Sequence, residues 1–285
     1  TLILREQLDL SNYTSIINLL ATIGNILCKL NMDDEALKYY ERILSLFDTH
    51  KLSACYKEIA ETLCSIGIIQ CNRYDYDEGI ASYQQSLKII EEHLPSDHIY
   101  FATINYYIGM ANYDQIKYDE ALNFYERTLA HYEKYKAKDY VSINTVLEQI
   151  AMTWNKKRNY NHAIKYMLKR LQVTERCQSP KDPDTSTDIS NIAQLQRNKF
   201  DYQLSLVYEL KCLSLREEVY SPDHINIGQS LSNIGLCYEN LYELKLAFEY
   251  YQRALHIYQQ SDVYPFNETQ RLHQDIQRIS EFLYE

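Results

Sequence analysis

The sequence predicts an all-α fold of six helical hairpins stacked side by side, and three observations carry that expectation. A small residue follows an isoleucine at Ile23-Gly24, Ile66-Gly67, Ile108-Gly109, Ile150-Ala151, Ile192-Ala193 and Ile234-Gly235, at intervals of 43, 42, 42, 42 and 42 residues. Twelve residues after each comes a second small residue: Ala36, Gly79, Ala121, Ala163, Ser205 and Ala247. Ala, Gly and Ser make up 40 of 285 residues, so twelve such matches arise by chance on the order of once in 10¹⁰ trials. The third observation is a shortage of breakers: Gly 6 and Pro 5 disfavour a turn-dense β fold and a Gly-rich phosphate loop. The repeat is the organising unit.

Each unit reads as two amphipathic helices. The first carries Leu-x-x-Ile-small, as in Leu20 to Gly24, Leu63 to Gly67, Leu147 to Ala151 and Leu231 to Gly235. Apolar residues three apart followed by a small one make one helical face with a notch in it. The second helix places a ring four residues after its own small residue, at Tyr40, Tyr83, Tyr125 and Tyr251. A side chain at that spacing shares the small residue's face and fills the space beside a close backbone approach. Met167 keeps the position apolar and Glu209 breaks it. With Ser205, Glu209 and Cys212, the fifth hairpin is expected to be the loosest packing step. Further tyrosines recur at second-helix starts, Tyr76, Tyr118, Tyr160 and Tyr202, so packing accounts for much of the tyrosine content.

The pattern resembles the tetratricopeptide repeat (TPR), in the 42-residue form of the kinesin-light-chain type. Tyr118-Asp119-Glu120-Ala121-Leu122-Asn123-Phe124-Tyr125 is similar to that family's second helix. Leu94-Pro95-Ser96-Asp97-His98 and Tyr220-Ser221-Pro222-Asp223-His224 resemble its Leu-Gly-Pro-Asp-His connection and stand 126 residues, three periods, apart. The resemblance implies a right-handed α-solenoid, a superhelix of antiparallel helix pairs. On this phase, six units are expected over 13–52, 53–95, 96–137, 138–179, 180–221 and 222–266, with Ser179 to Asp188 as a longer connection. Residues 267–285, with Leu272, Ile276, Ile279 and Leu283 at helical spacing, read as a capping helix. Residues 1–12 align with the stretch beginning at Cys212 and are expected to be the back half of a second helix from a truncated preceding repeat, in a chain without an initiator Met.

Several function classes fall away on chemistry. Lys+Arg 29 against Asp+Glu 39 gives a net charge of −10, which repels a phosphate backbone, so nucleic acid is not an expected partner. The seven cysteines include no CxxC pair and follow no secretory signal, which fits reduced thiols in a cytoplasmic compartment. The most apolar stretch, Ile16 to Cys28, is interrupted by Asn18, Thr22 and Asn25 and is too short to span a bilayer. Asp97-His98 and Asp223-His224 fall just before helix starts, where capping explains them better than acid–base work. Cys64 and Cys71, seven apart on one helix, read as inert buried thiols. His93 and His98, split by Pro95, have no matching ligand pair, and no metal or other cofactor is expected.

In the family, the first helix of each hairpin lines the concave surface. The resemblance therefore implies a partner-binding groove built from Tyr106, Tyr107, Met110, Tyr113, Gln149, Met152, Lys156, Asn191, Gln194, Arg197, Asn198 and Asn233, with Asn25, Lys29 and Asn72 at related positions. Asn191 and Asn233 match the second Asn of the family's Leu-Asn-Asn-Leu-Gly motif, and a side-chain amide can pair with a peptide backbone's donor and acceptor. The related co-chaperone clamp grips a C-terminal carboxylate with Lys and Arg. Its positions here hold no cation in any three-repeat window: Ala21, Asn25, Ser65, Thr103 and Tyr107 in the first, and Glu148, Met152, Asn191, Gln229 and Asn233 in the last. A chaperone carboxylate is excluded as ligand.

The expected function is a non-catalytic scaffold or adaptor, similar to kinesin-light-chain cargo-binding repeats. Its groove would bind a peptide with an aromatic or apolar anchor, flanked by an acidic residue near Lys156 and Arg197. The alternative is a targeting or regulatory array of a larger enzyme whose catalytic domain lies upstream of Thr1.

Overall fold

The computed structural model describes residues 2–50, 55–177, 183–261 and 266–284, with side chains from residue 12 up to 283. The described residues form thirteen helices and no strand. They divide into two compact units, residues 1–139 and 140–285. The first holds three antiparallel hairpins: α1 (Leu2–Lys29) with α2 (Asp33–His50), α3 (Tyr56–Asn72) with α4 (Tyr76–His93), and α5 (Ile99–Asp114) with α6 (Tyr118–Tyr135). The second holds α7 (Tyr140–Lys156) with α8 (Tyr160–Cys177), α9 (Pro183–Asn198) with α10 (Tyr202–Val219), and α11 (Ile225–Asn240) with α12 (Leu244–Gln260), followed by α13 (Phe266–Tyr284). This is an all-α helical-repeat fold.

Each core cluster is shared by successive hairpins, which is why a lone hairpin could not bury its own apolar face. In the first unit Ile17, Tyr40, Ile43 and Ile59 pack together, and Tyr83, Ile90, Ile104 and Ile108 form the next layer. In the second unit Met167, Ile189 and Ile192 make one layer, and Ile227, Tyr251, Tyr258, Leu272 and Ile279 make another. Leu272 and Ile279 of α13 are buried there, so α13 covers the face that α12 would otherwise expose.

Glycine is demanded at four notches. A Cβ on Gly24, Gly67, Gly109 or Gly235 would lie 2.6 Å from the nearest ring carbon of Tyr40, Tyr83, Tyr125 or Tyr251 respectively. At the other two hairpins the notch residue is Ala151 or Ala193, and the facing residue is Met167 or Glu209 instead of tyrosine. The sequence thus keeps one rule: where a Cβ is present, the ring is absent. A flexible thioether or a carboxylate can step aside from a methyl that a fixed ring cannot avoid.

The turns inside the hairpins are equally regular. Asn31, Tyr74, Ile116, Arg158, Phe200 and Tyr242 all adopt positive φ, between 57° and 68°. Each donates its N–H to the carbonyl three residues back, and the next residue reaches five back; Ile116 bonds Tyr113 at 2.9 Å and Lys117 bonds Asn112 at 2.9 Å. This is the Schellman closure, whose left-handed residue is usually glycine. Ile116 is β-branched, has φ 64° and is 71% exposed, so little packing offsets its strain. The left-handed region costs an L-residue roughly 1–2 kcal/mol, and glycine's backbone entropy returns about 0.5–1 kcal/mol of that. Ile116→Gly should therefore raise stability by about 0.5–1 kcal/mol, read as a thermal midpoint about 2 °C higher by circular dichroism. A lower midpoint would mean the isoleucine is held by contacts that its exposure does not register.

The helix starts settle the Asp-His question. The His98 and His224 side chains accept hydrogen bonds from the Tyr100 and Asn226 N–H groups through Nδ1, at 3.4 and 3.2 Å. Capping is the observed role, and it is the histidine of each pair that caps.

Three expectations are corrected. Residues 2–29 form one uninterrupted helix, so the segment 1–12 does not stand apart as the end of a separate second helix. Nothing between Glu6 and Leu20 can break a helix there, since the stretch has no Gly or Pro. Residues 183–188 of the expected connection are the first turns of α9, because proline suits a first helical position; residues 179–182 lie outside the described residues. The fifth hairpin is not loose either. Ser205, Glu209 and Cys212 are fully buried, the Ser205 hydroxyl donates to the Ala193 carbonyl at 2.9 Å, and the Cys212 thiol donates to the Ser186 carbonyl at 3.2 Å. Hydrogen bonds replace apolar packing at that step.

Candidate partner-binding surfaces

In the first unit the expected groove residues lie on α5. Tyr106, Met110 and Tyr113 share a strip by their spacing of four and three, and Tyr107 lies beside it. The Tyr106 ring centroid is 5.8 Å from Tyr125 and 6.1 Å from Tyr107, and Tyr107 stacks on Tyr83 at 5.8 Å. Tyr113 leans on Tyr118 at 5.5 Å. The three rings are half-buried, whereas Met110 is exposed. Tyr107 and Met110 line a recess of about 110 Å³ with Ile68, Cys71, Asn72 and Asp114. Burial pushes the Tyr107 hydroxyl and the Asp114 carboxyl above their ordinary ranges. At this recess Cys71 is held up by burial, and the neighbouring Cys64 is pushed up to about 12, first by burial and then by Glu61. Both thiols are held un-ionised at neutral pH, Cys64 buried and Cys71 half-buried.

In the second unit the expected residues spread over α7, α9 and α11. Met152, Asn191 and Gln194 are brought together around a recess of about 270 Å³, together with Glu148, Asn155, Met167 and Leu195. Met152 is 44% exposed, Gln194 and Lys156 are exposed, and Gln149 is half-buried. Asn198 donates to the Asn155 side-chain oxygen at 3.4 Å.

Arg197 is corrected. Its side chain is only 13% exposed, and it contacts the fully buried Glu209 carboxylate at 2.6 Å. It offers no free charge to a ligand. Asn233 is drawn into the same cluster: burial raises the Glu209 carboxyl, and Arg197, Arg216 and the Asn233 amide each pull it back down. Burial wins that balance, so this pair sits in a poorly solvated place. The reason appears when the hairpins are superposed in phase. Positions 28, 71, 113, 155, 197 and 239 each face the residue twelve later. Tyr40 lies 3.5 Å from the Cys28 thiol, and the Tyr251 hydroxyl donates to Glu239 at 2.8 Å. Arg197 is the inner partner of Glu209 by that rule.

Asp114 and Asn155 are not among the expected groove residues, and Glu148 enters there only as a clamp position without a cation. Asp114 shares its repeat phase with Lys156 and Asn198, so the phase that found those two would have found it. Glu148 is held from beneath: Arg170 approaches it at 3.6 Å and also pairs with the buried Asp188, which accepts from Thr174 at 2.9 Å. Among the described residues, no three His, Cys, Asp or Glu side chains group as metal ligands, and no helix is long and apolar enough to cross a membrane.

A family model described as tetratricopeptide repeat matches residues 58–134 and 189–260, and a second model of that description matches residues 19–46. No curated protein matches the chain in sequence. Among solved structures, BtubC (BKLC) from P. vanneervenii is 17% identical with a TM-score of 0.60, covering 81% of this chain and 90% of its own. TPR-like repeats of a kinesin-light-chain-like protein from Podosopora anserina are 12% identical with a TM-score of 0.60, covering 74% and 98%. A signal transduction ATPase with a tetratricopeptide repeat sensor, from Pyrococcus horikoshii, is 14% identical with a TM-score of 0.58, covering 91% of this chain and 37% of that one. These structures share the fold at identities too low to transfer function, while the family models span more than half of the chain, which belongs to the tetratricopeptide repeat family.

Proposed function

We propose that the chain is a non-catalytic scaffold of six repeat units that binds peptide segments of partner proteins along the first-helix face of its hairpins. The supporting observation is the character of that face. Exposed Met110 and Met152 each rim a small recess, with aromatic rings around the first and side-chain amides around the second. Methionine adapts its shape to an apolar anchor, and flanking amides satisfy an extended backbone. With Arg197 committed to Glu209, Lys156 is an exposed cation on the second unit's part of this face, available to an acidic flanking residue. The reading is similar to the cargo-binding arrays of kinesin light chains and to a cytoplasmic adaptor.

Peptide display on the intact chain tests this. Met110→Glu should remove peptides with aromatic or apolar anchors, and Tyr106→Ala with Met110→Ala should reduce their enrichment about tenfold, the loss of one well-packed anchor contact. Lys156→Glu should remove the preference for acidic flanks and leave the anchor preference intact. Unchanged enrichment in the folded variants, checked by circular dichroism, would discard the α5 face as the anchor site.

A second reading is supported by the Pyrococcus horikoshii ATPase, which has a tetratricopeptide repeat sensor and of which the matched part is 37%. By that analogy the chain would be a targeting or regulatory array beside a catalytic domain. Catalysis by a longer natural form, responsive to peptides selected on the isolated array, would favour it.

A further inference from the structure

Two wider recesses lie away from the first-helix face. In the first unit a cleft of about 440 Å³ opens where the end of α4, the 94–98 connection, the start of α5 and the second half of α6 meet. None of the groove residues lines it. In the second unit a cleft of about 820 Å³ has the same repeat phase, three periods on. Glu91, Phe101, Arg127 and His131 of the first correspond to Glu217, Ile227, Arg253 and Ile257 of the second. The long connection of the 42-residue repeat therefore makes the cleft, and the residues at each phase set what it accepts.

The first cleft contains a polar group that the fold leaves unanswered. His131 is 5% exposed, and neither ring nitrogen reaches full hydrogen-bond geometry; the Ser96 carbonyl is the nearby backbone acceptor, which leaves at least one ring nitrogen without a partner. Its ring stacks against Phe101 at 5.3 Å and lies 4.9 Å from Tyr135. Desolvation holds the imidazole below its ordinary range against the opposing pull of the Ser96 carbonyl, so it is neutral at pH 7, with one N–H to give and one lone pair to receive. A buried polar group without a partner is destabilising, and the equivalent position in the other unit avoids that with the buried Ile257. Around His131 the walls are apolar, from Ile90, Leu94 and Phe101. The rim is basic. Arg127 lies over the Phe101 ring at 5.5 Å and pairs with Glu91 at 3.2 Å, and Lys134 sits over Tyr135 at 4.6 Å. The cleft of the second unit has Ile257, Gln260 and Ser261 where the first has His131, Lys134 and Tyr135, and its lining includes Glu217, Asp223 and Glu249 against Arg253 and His256.

We propose that the cleft around His131 is a second peptide site, specific for an apolar residue next to a carboxylate in an acidic segment of a partner protein. The apolar side chain rests on Ile90, Leu94 and Phe101, the peptide backbone or carboxylate satisfies the His131 imidazole, and the acidic group lies between Lys134 and Arg127. The acidic lining of the other cleft excludes that ligand, so two clefts of one shape are distinguished by charge.

The test uses the whole chain and fluorescein-labelled pools of sequence Gly-Ser-Φ-Glu-Ser-Gly, with Φ drawn from Phe, Leu, Ile and Met, beside matched pools with Lys for Glu. Fluorescence anisotropy should show saturable binding of the glutamate pool. His131→Ile, which copies the other unit and should fold, weakens it about tenfold, the effect of one lost buried hydrogen bond. Lys134→Gln, copying Gln260, weakens it about threefold, as expected for a rim charge. Arg253→Gln, at the same phase in the other unit's cleft, leaves it unchanged, and dependence on His131, in a cleft that no groove residue lines, separates this site from the first-helix face. Equal binding of glutamate and lysine pools, no saturable binding below millimolar protein, or full binding by a folded double variant His131→Ile with Lys134→Gln would each overturn the proposal.

Discussion

Removing the Glu209 carboxylate by Glu209→Ala should cost the second unit about 3–5 kcal/mol, because it strands the Arg197 guanidinium in a site where it is 13% exposed and has lost its 2.6 Å partner. Arg197→Ala should cost about as much by the converse route, leaving a fully buried carboxylate with weaker support from Arg216 and Asn233. The informative variant is the double one. Arg197→Asn with Glu209→Met installs the pair that the preceding hairpin already uses, Asn155 with Met167, beside the same alanine notch. It should be near neutral or stabilising, since replacing a buried ion pair with well-packed residues of similar volume often is. Amide hydrogen exchange of α9 and α10 is the suitable measurement, because a repeat array need not unfold in a single step. A double variant whose loss approaches the sum of the two single losses would show that Arg197 and Glu209 serve the packing separately and not as a pair.

The second large effect concerns the notch. Gly109→Ala puts a methyl 2.6 and 2.7 Å from two carbons of the buried Tyr125 ring. Overpacking of this kind costs about 1–3 kcal/mol, and the upper end applies because the ring is fully buried and has no free volume to turn into. The helix propensity of alanine returns about 1 kcal/mol, leaving a net loss near 2 kcal/mol. Tyr125→Met alone should also destabilise, by leaving a void beside Gly109. Combining Gly109→Ala with Tyr125→Met reproduces Ala151 with Met167 and should restore most of both losses. A coupling of about 1–3 kcal/mol in that double-mutant cycle is the expected result; additive losses would mean that the ring and the notch do not share one space.

The first-helix face was partly legible before any coordinate was known. Met110, Met152, Asn191 and Gln194 sit at recesses because their phase relative to the Ile-small landmark fixes which side of the helix they occupy. Phase could not say whether a side chain there is free. Arg197 occupies a groove phase, and only the residue twelve positions later, on the other helix of its hairpin, decides that it turns inward to Glu209. His131 gave no sequence signal at all. It is a single histidine on a second helix, and its unmet hydrogen bonds become visible only once Phe101, Tyr135 and the 94–98 connection close around it.

The sequence by itself determined the helical hairpin, its period, its notch-and-ring rule and its membership of a repeat family, since all of these follow from contacts between residues at fixed separations along the chain. The tertiary structure alone decided that residues 2–29 run as one helix, that the fifth hairpin is held by hydrogen bonds and an ion pair, and that the outer connections enclose clefts of different charge. Those features depend on which distant side chains meet in a water-poor space, where a partner's presence or absence changes the energy of a polar group by several kcal/mol, and no periodicity encodes that.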